Sequence, residues 1–274
     1  MSTPKQSAKQ TKDARRDAAR AQAEKMRQQQ DAREKRSRRI LMGVLAGILA
    51  LVVGVGVAIF NSSQKTLLDA FDGAQPTTAN NHAGIPAGAD GVAGTFDKDA
   101  PVLQVYVDFM CPYCGDFEEA NAAELKTLRD AGDLTVNYHL LSNLDQLSMG
   151  TKYSTRAANA AATVANDSPE HFVAFVEGLF AKQPEENTTG LTDEEIAAIA
   201  VEAGVSQEVA DTFSKGTFSD WVTEGTKQAK REGVGGTPTI KLDGSTPPET
   251  VNYFQPGVLG TWLAGEGVGN APSE

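Results

Sequence analysis

The sequence predicts an α/β domain set behind a single membrane-spanning helix. Three observations carry that reading. Residues 40–60 form an unbroken apolar run without a charged side chain. Runs rich in β-branched and aromatic residues recur at 102–109, 134–141 and 239–242, which is strand composition. A long stretch of helical signals separates the second run from the third. The order is therefore strand, helix, strand, helices, strand, helix, an α/β layout with a helical block between core strands.

The N-terminal third is read from its charge. The 274 residues hold 25 Lys and Arg against 36 Asp and Glu, a net charge of −11, which argues against a nucleic-acid binder, whose footprint is basic. The balance is uneven: residues 1–39 carry 13 basic and 5 acidic side chains, whereas 61–274 carry 12 and 31. The apolar run between them has 21 residues. At 1.5 Å per residue it spans about 32 Å, enough to cross a bilayer core. Arg36, Arg38 and Arg39 directly precede it, and Lys65 alone follows before Lys98. The positive-inside rule then places 1–39 in the cytoplasm and 61–274 outside.

A cleaved signal peptide would have a shorter apolar region ending at small residues. This run has a 39-residue preamble and leaves through Ala58-Ile59-Phe60-Asn61, so an uncleaved single-pass anchor in the cell membrane is expected. Gly43 and Gly47 form a GxxxG pattern, but glycine is common in membrane helices and no helix partner is read from it. Residues 1–39 have few large apolar side chains and read as a solvated basic cytoplasmic tail. Residues 61–83 read as a tether, with Leu67, Leu68 and Phe71 in a short helix, and 269–274 as a C-terminal tail.

The domain is expected over 84–268. Ile85 and Val92, in a Gly- and Ala-rich stretch, supply a first short strand or hairpin. Residues 102–109, bounded by Pro101 and Pro112, are a mostly buried strand. Pro112 opens a helix at the position where its fixed φ suits and its missing N–H costs nothing. Asp116, Glu118 and Glu119 lie in its first turns, where the dipole favours acids. Phe117, Ala120, Leu125 and Leu128 share a stripe, and Gly132 ends the helix. Residues 134–141 are the second core strand. An Ala-rich helix over 154–166 follows. Ser168-Pro169-Glu170 opens another, with Ser168 as cap and Phe172, Phe175, Val176, Leu179 and Phe180 as its apolar face. Thr192-Asp193-Glu194-Glu195 is a capping box, and Gly204 closes that helix. Ser206 and Thr217 are further caps, the latter leading to Trp221. After a glycine loop at 233–236 come the strand 239–242, the turn signal Asp243-Gly244, and a last helix over 256–264.

Both cysteines of the protein fall in one motif, Cys111-Pro112-Tyr113-Cys114. Two cysteines exclude a disulfide-dense secreted scaffold and a Cys-only zinc site, which needs four ligands. The motif sits where a strand ends and a helix begins. Unpaired backbone N–H groups and the helix dipole there favour a thiolate, the attacking species. Cys111 is the more exposed position, and Cys114 lies one turn on. The pair is expected to work as a reversible dithiol/disulfide couple, Cys111 forming the mixed disulfide and Cys114 resolving it. Half a zinc site would need ligands from His82, His139, His171 or carboxylates at no familiar spacing. An inert structural disulfide closing so short a loop would stabilise little. Catalytic redox is preferred to both.

The segment from Phe109 through Glu118, together with Gly236-Thr237-Pro238-Thr239, resembles the DsbA-like branch of the thioredoxin superfamily over residues 84–268. The resemblance implies a thioredoxin-like fold with a helical insertion. It implies that Pro238 is cis beside the active-site pair and that Thr237 offers backbone contacts to substrate. Pro112 and Tyr113 are the positions that tune the couple. Two departures stand out. Many relatives carry a buried carboxylate six residues before the first cysteine, where this chain has Val105. Asp108 is the nearest acid, and either substitutes or is simply a solvated polar residue. The strongest oxidases carry histidine where this chain has Tyr113. Losing that donor implies a higher Cys111 pKa and a less oxidising disulfide.

The function so implied is a membrane-tethered, extracytoplasmic thiol:disulfide oxidoreductase. It would oxidise cysteines of secreted or cell-surface proteins and be reset by a membrane electron-transfer partner. No metal and no cofactor beyond the cysteines are expected. A reductant or isomerase of the same fold is the alternative, though isomerases usually add a dimerisation domain and none is seen. A non-catalytic binding or chaperone module is the other. His82 is placed on the tether, His139 and His171 as core or surface residues, and Trp221 and Trp262 in packing.

Overall fold

A computed structural model describes residues 65–269, together with 24–27, 33, 42 and 47, which are helical. The expected span 40–60 lies outside the described residues except for Met42 and Gly47, as do most of the tail 1–39 and residues 270–274. Among the described residues no helix is long and apolar enough to cross a membrane.

The unit beginning at Thr66 is built on four strands, β1 (Gly84–Ala87), β2 (Val102–Val107), β3 (Thr135–Leu140) and β4 (Thr239–Leu242), in the order β1-β3-β2-β4. β2 and β3 are parallel, in register from Val102↔Thr135 to Val107↔Leu140. A parallel pair needs a crossover, and α1 (Pro112–Asp130) supplies it. β1 pairs antiparallel with β3, and β4 antiparallel with β2. β3 is buried throughout, as befits a central strand. Pro86 is tolerated because β1 is an edge strand. The turn after β4 has Asp243 at φ 47° and Gly244 at φ 86°. Two positive φ values are what a tight hairpin turn asks of Asp-Gly, and Leu242 and Ser245 exchange both backbone hydrogen bonds across it.

The helical block comprises α2 (Tyr153–Asp167), α3 (Phe172–Ala181), α4 (Asp193–Glu202), α5 (Gln207–Ala210) and α6 (Ser219–Arg231), with α7 (Val258–Gly265) after β4. α2 is buried almost all round. Its alanines, Ala157, Ala158, Ala160, Ala161, Ala162 and Ala165, let α3 and α6 approach closely. Asn159 is buried on α2 and fully used, donating to the Phe213 carbonyl (2.9 Å) and accepting from Phe218 N–H (2.8 Å).

Several expected helix ends are found. Thr192 and Glu195 form the reciprocal capping box, and Ser206 accepts from Val209 N–H. Others differ. Thr217 caps nothing: α6 starts after Phe218, without a side-chain cap. Ser168 meets the His171 ring (3.0 Å), and a short 3₁₀ turn, Pro169–His171, precedes α3. The short helix expected in the tether is a 3₁₀ turn, Leu68–Ala70. That turn docks on the domain, because Leu68 is an apolar side chain that finds the core, while Leu67 N–H donates to Gln228 Oε1 (2.8 Å).

Candidate active site

β2 ends at Val107, and the chain turns through Asp108, Phe109 and Met110 into α1. Cys111 is the extended N-cap residue of α1 (φ −79°, ψ 114°) and carries no side-chain cap. Its own N–H donates to the Asp108 carbonyl (3.0 Å). Cys114 N–H (2.9 Å) and Gly115 N–H (3.3 Å) turn back to the Cys111 carbonyl. The first turn of a helix leaves backbone donors without partners in the helix, and the Cys111 sulfur sits beside them. Cys111 is 5% exposed and Cys114 0%; both are free thiols. From the far end of the domain, the loop before β4 brings its cis Thr237–Pro238 peptide to the pair. The Cys111 Sγ lies 3.2 Å from the Thr237 carbonyl oxygen.

The two sulfurs are driven in opposite directions. Cys111 is pulled down to about 6, first by the hydrogen bond from the Cys114 thiol, then by the Thr237 side chain and the Cys114 N–H; burial and the Asp108 charge oppose this. Burial, and then the bond it gives to Cys111, push Cys114 far up. Near neutral pH the outer sulfur is a thiolate and the inner one a thiol.

The structure corrects one alternative about Asp108. It is not solvated. Its carboxylate is fully buried and accepts from Met110 N–H (2.9 Å) and Leu144 N–H (2.9 Å), two backbone donors that replace water. Burial pushes it up to about 6. Val105 is an ordinary core residue, opposite Tyr138 and Ile240 in the sheet.

Tyr113 is 62% exposed. Its ring lies 6.0 Å from Phe254, which continues into Tyr253 and then Phe117. Asn121, buried on α1, donates to the Phe117 carbonyl (2.7 Å) and to the Tyr253 carbonyl (2.8 Å), so the loop after β4 is fastened to the motif's helix. Pro238, Pro247, Tyr253 and Phe254 line a cavity of about 450 Å³ beside the pair. Sequence reasoning missed this loop, and it missed Gln183. The Gln183 amide donates to the carbonyls of Phe109 (3.0 Å) and Cys111 (2.9 Å), bracing the motif from the end of α3. A Cβ at Gly115 would meet the Gln183 side-chain oxygen, so a larger residue there would displace the end of that side chain.

The histidines lie elsewhere. His139 is buried, stacked on Tyr106 at 4.1 Å, and lowered by burial to about 4. His82 pairs with Glu232 (2.6 Å). Among the described residues no group of three side chains suited to a metal ion occurs. Trp221 is buried, and Trp262 packs against the core.

A thioredoxin family model matches residues 92–255. Over 183 residues the chain is 31% identical to the serine/threonine-protein kinase PknE of Mycobacterium tuberculosis, covering 64% of this chain and 31% of the kinase. It thus spans about a third of the length of the curated relatives it matches. Among solved structures it is similar to the reduced disulfide bond oxidoreductase DsbG of M. tuberculosis, with 29% identity and a TM-score of 0.53 over 62% of this chain and 82% of that one. Reduced DsbA of M. tuberculosis matches with 25% identity and a TM-score of 0.57, over 69% and 94% of the two chains. The thiol-disulfide oxidoreductase MdbA of Actinomyces oris shares the fold at 24% identity, with a TM-score of 0.59 over 73% and 93%.

Proposed function

The chain belongs to the thioredoxin family, and from that premise we propose that it is a protein thiol:disulfide oxidoreductase that oxidises cysteines of translocated proteins. The observation that carries this is the asymmetry of the pair: a Cys111 sulfur held at about 6 on the rim of α1, over a Cys114 sulfur held high in the interior. In the disulfide form, a client thiolate attacks Cys111 Sγ and breaks the Cys111–Cys114 bond. Cys114 leaves and takes up a proton. A second client thiolate attacks the client sulfur of the mixed disulfide and expels Cys111 as a stable thiolate. The client has lost two electrons, and the pair holds them as a dithiol. Thr237 and Pro238 line the approach, and Tyr113 marks its rim.

In this reading residues 1–39 are a cytoplasmic tail, 40–60 a membrane anchor, 61–83 the link from it, and 84–268 the extracytoplasmic domain. A membrane electron-transfer partner removes the two electrons. The likeness to DsbG and DsbA supports the chemistry, and the charge asymmetry about 40–60 supports the placement.

The test is a trap. In Cys114→Ala the Cys111 thiolate should attack a client disulfide, expel one client thiolate and remain as a mixed disulfide, because the resolving sulfur is absent; reductant should release it. Absence of any such adduct would overturn the reading. The potential of the pair then fixes the direction of flow. A value of roughly −120 to −180 mV belongs to an oxidase, and one near about −270 mV to a reductant.

A further inference from the structure

Between α1 and α3, on the flank of the motif away from the β4 loop, lies a recess of about 660 Å³. Pro112, Asp116, Glu118, Glu119, Glu177 and Gln183 are among its walls. Three of its carboxylates come from α1 and one from α3. We propose that this recess is a subsite for a cationic side chain, arginine or lysine, carried by the client polypeptide close to its reacting cysteine. The proposal rests on the oxidoreductase reading above and adds a substrate preference to it.

The key residue is Glu118. A glutamate in the second turn of a helix has every chance to point at water, yet Glu118 is 8% exposed. Its carboxylate takes no hydrogen bond and makes no ion pair among the described residues. The charged groups that face it are Glu177 from α3, which repels it, and Arg129 from its own helix, which attracts it. Arg129 bonds the Tyr138 hydroxyl through Nη1 (3.0 Å), and with its buried Nε unpartnered it acts on Glu118 and Glu177 by charge alone. Lys126 faces Glu177, not Glu118. Burial and Glu177 push Glu118 up to about 7. A carboxylate largely withdrawn from water gains from a hydrogen-bonding partner, and this one lines an open recess through which a partner can reach it.

The chemistry that answers it is a cation with several N–H donors. A guanidinium offers five in a plane, and an ammonium three; either could meet Glu118 and Glu177 together. A metal ion fits less well, because no three ligating side chains converge among the described residues. The volume is that of a ligand pocket. Its position names the bearer: Pro112 and Gly115 of the motif form part of the wall, and Gln183 links that wall to the Cys111 carbonyl. A polypeptide with its sulfur on Cys111 passes the mouth of the recess.

The test compares single-cysteine peptides that are identical except for one Arg, Gln or Glu a few residues from the cysteine. They are reacted with the full chain in its disulfide form. The Arg peptide should react about five- to tenfold faster than the Gln peptide, and the Glu peptide slower. In Glu119→Gln/Glu177→Gln the Arg advantage should fall below about twofold. A control, Glu208→Gln/Asp211→Asn on α5, removes the same charge from a remote surface and should keep the advantage. An equal Arg-to-Gln ratio in all three proteins would overturn the subsite. So would an equal loss in the control, which would mark general attraction to an acidic domain. Should no peptide react, the oxidoreductase reading fails, and the subsite is judged by a labelled Arg peptide with serine in place of cysteine. Binding weakened by the recess variant and not by the control supports it; equal binding, or none, overturns it.

Discussion

Cys111 and Cys114 are one helical turn apart, and the difference between them is environmental. Cys111 receives hydrogen bonds from Cys114 and Thr237 at a helix start, whereas Cys114 is enclosed by apolar side chains. In the reduced protein the thiolate absorbance and the alkylation rate should therefore titrate with a midpoint near 6. The linkage has a definite sign. Cys111 is depressed below its ordinary value of 9.0. It stabilises the reduced fold above that value and loses this contribution as pH falls through about 6. Reduced protein should accordingly lose stability relative to the disulfide form as pH falls from about 9 to about 6. Tyr113→His, adding a donor beside the thiolate, should move the midpoint lower and the potential higher; an unchanged potential would show that position 113 does not tune the pair. Asp108→Asn tests the buried acid. Removing its charge should lower the Cys111 midpoint, since that charge opposes the thiolate. It should also cost about 1–3 kcal/mol in denaturant unfolding, because one amide oxygen cannot serve both the Met110 and Leu144 donors.

At the scale of elements, what the sequence made legible was what is written locally. α1 runs from Pro112 to Asp130 as its proline and Gly132 imply, but no acid lies in its first turn, so the expected dipole contribution is not found. The box at Thr192 is reciprocal because both halves lie within four residues. Signals of the same kind failed in two places, one through a competing partner and one through position. Ser168 found the His171 ring instead of a backbone donor, and Thr217 lies one residue outside α6's N-cap. The site divides in the same way. Cys111, Cys114 and the Thr237-Pro238 pair stand in contiguous motifs. Gln183, Tyr253 and Phe254 reach the motif only through packing, and nothing adjacent in sequence marks them. Gln183 is the sharpest case, an amide at the end of α3 that holds two carbonyls at the start of α1. Gln183→Ala should leave both carbonyls without that donor, lower stability by about 1–3 kcal/mol, and slow client exchange while Cys111 still titrates. A loss of stability with exchange unchanged would make Gln183 a purely structural brace.

For the whole molecule, burial of ionisable groups couples the fold to pH in two opposed directions. Glu118 is raised from 4.5 to about 7, and Asp108 from 3.8 to about 6, chiefly by burial. For a raised acid the folded state holds its proton longer. Stability is fully present below the unfolded value and is lost as pH rises through the folded one. His139 is lowered from 6.5 to about 4 by burial. The fold must exclude its proton, so it contributes in the contrary sense and stability grows as pH rises over that window. Glu118 belongs to the α1–α3 flank, Asp108 to the turn between β2 and α1, and His139 to β3, so these terms act at separate places and their effects should add. Unfolding is best followed in the disulfide form, where Cys111 does not titrate. Glu118→Gln should abolish a loss of about 3 kcal/mol between pH 4.5 and 7, so that its stability exceeds the parent's more at pH 7.5 than at pH 4. His139→Phe, which keeps the stack on Tyr106, should do the reverse and lose stability more steeply with rising pH than the parent. A parent and a Glu118→Gln curve running parallel from pH 4 to 8 would mean that Glu118 titrates alike in the folded and unfolded chain, its burial offset by Arg129. The recess would then have no unmet charge to offer a client's arginine, and the stability curve would decide against the substrate preference without a substrate present.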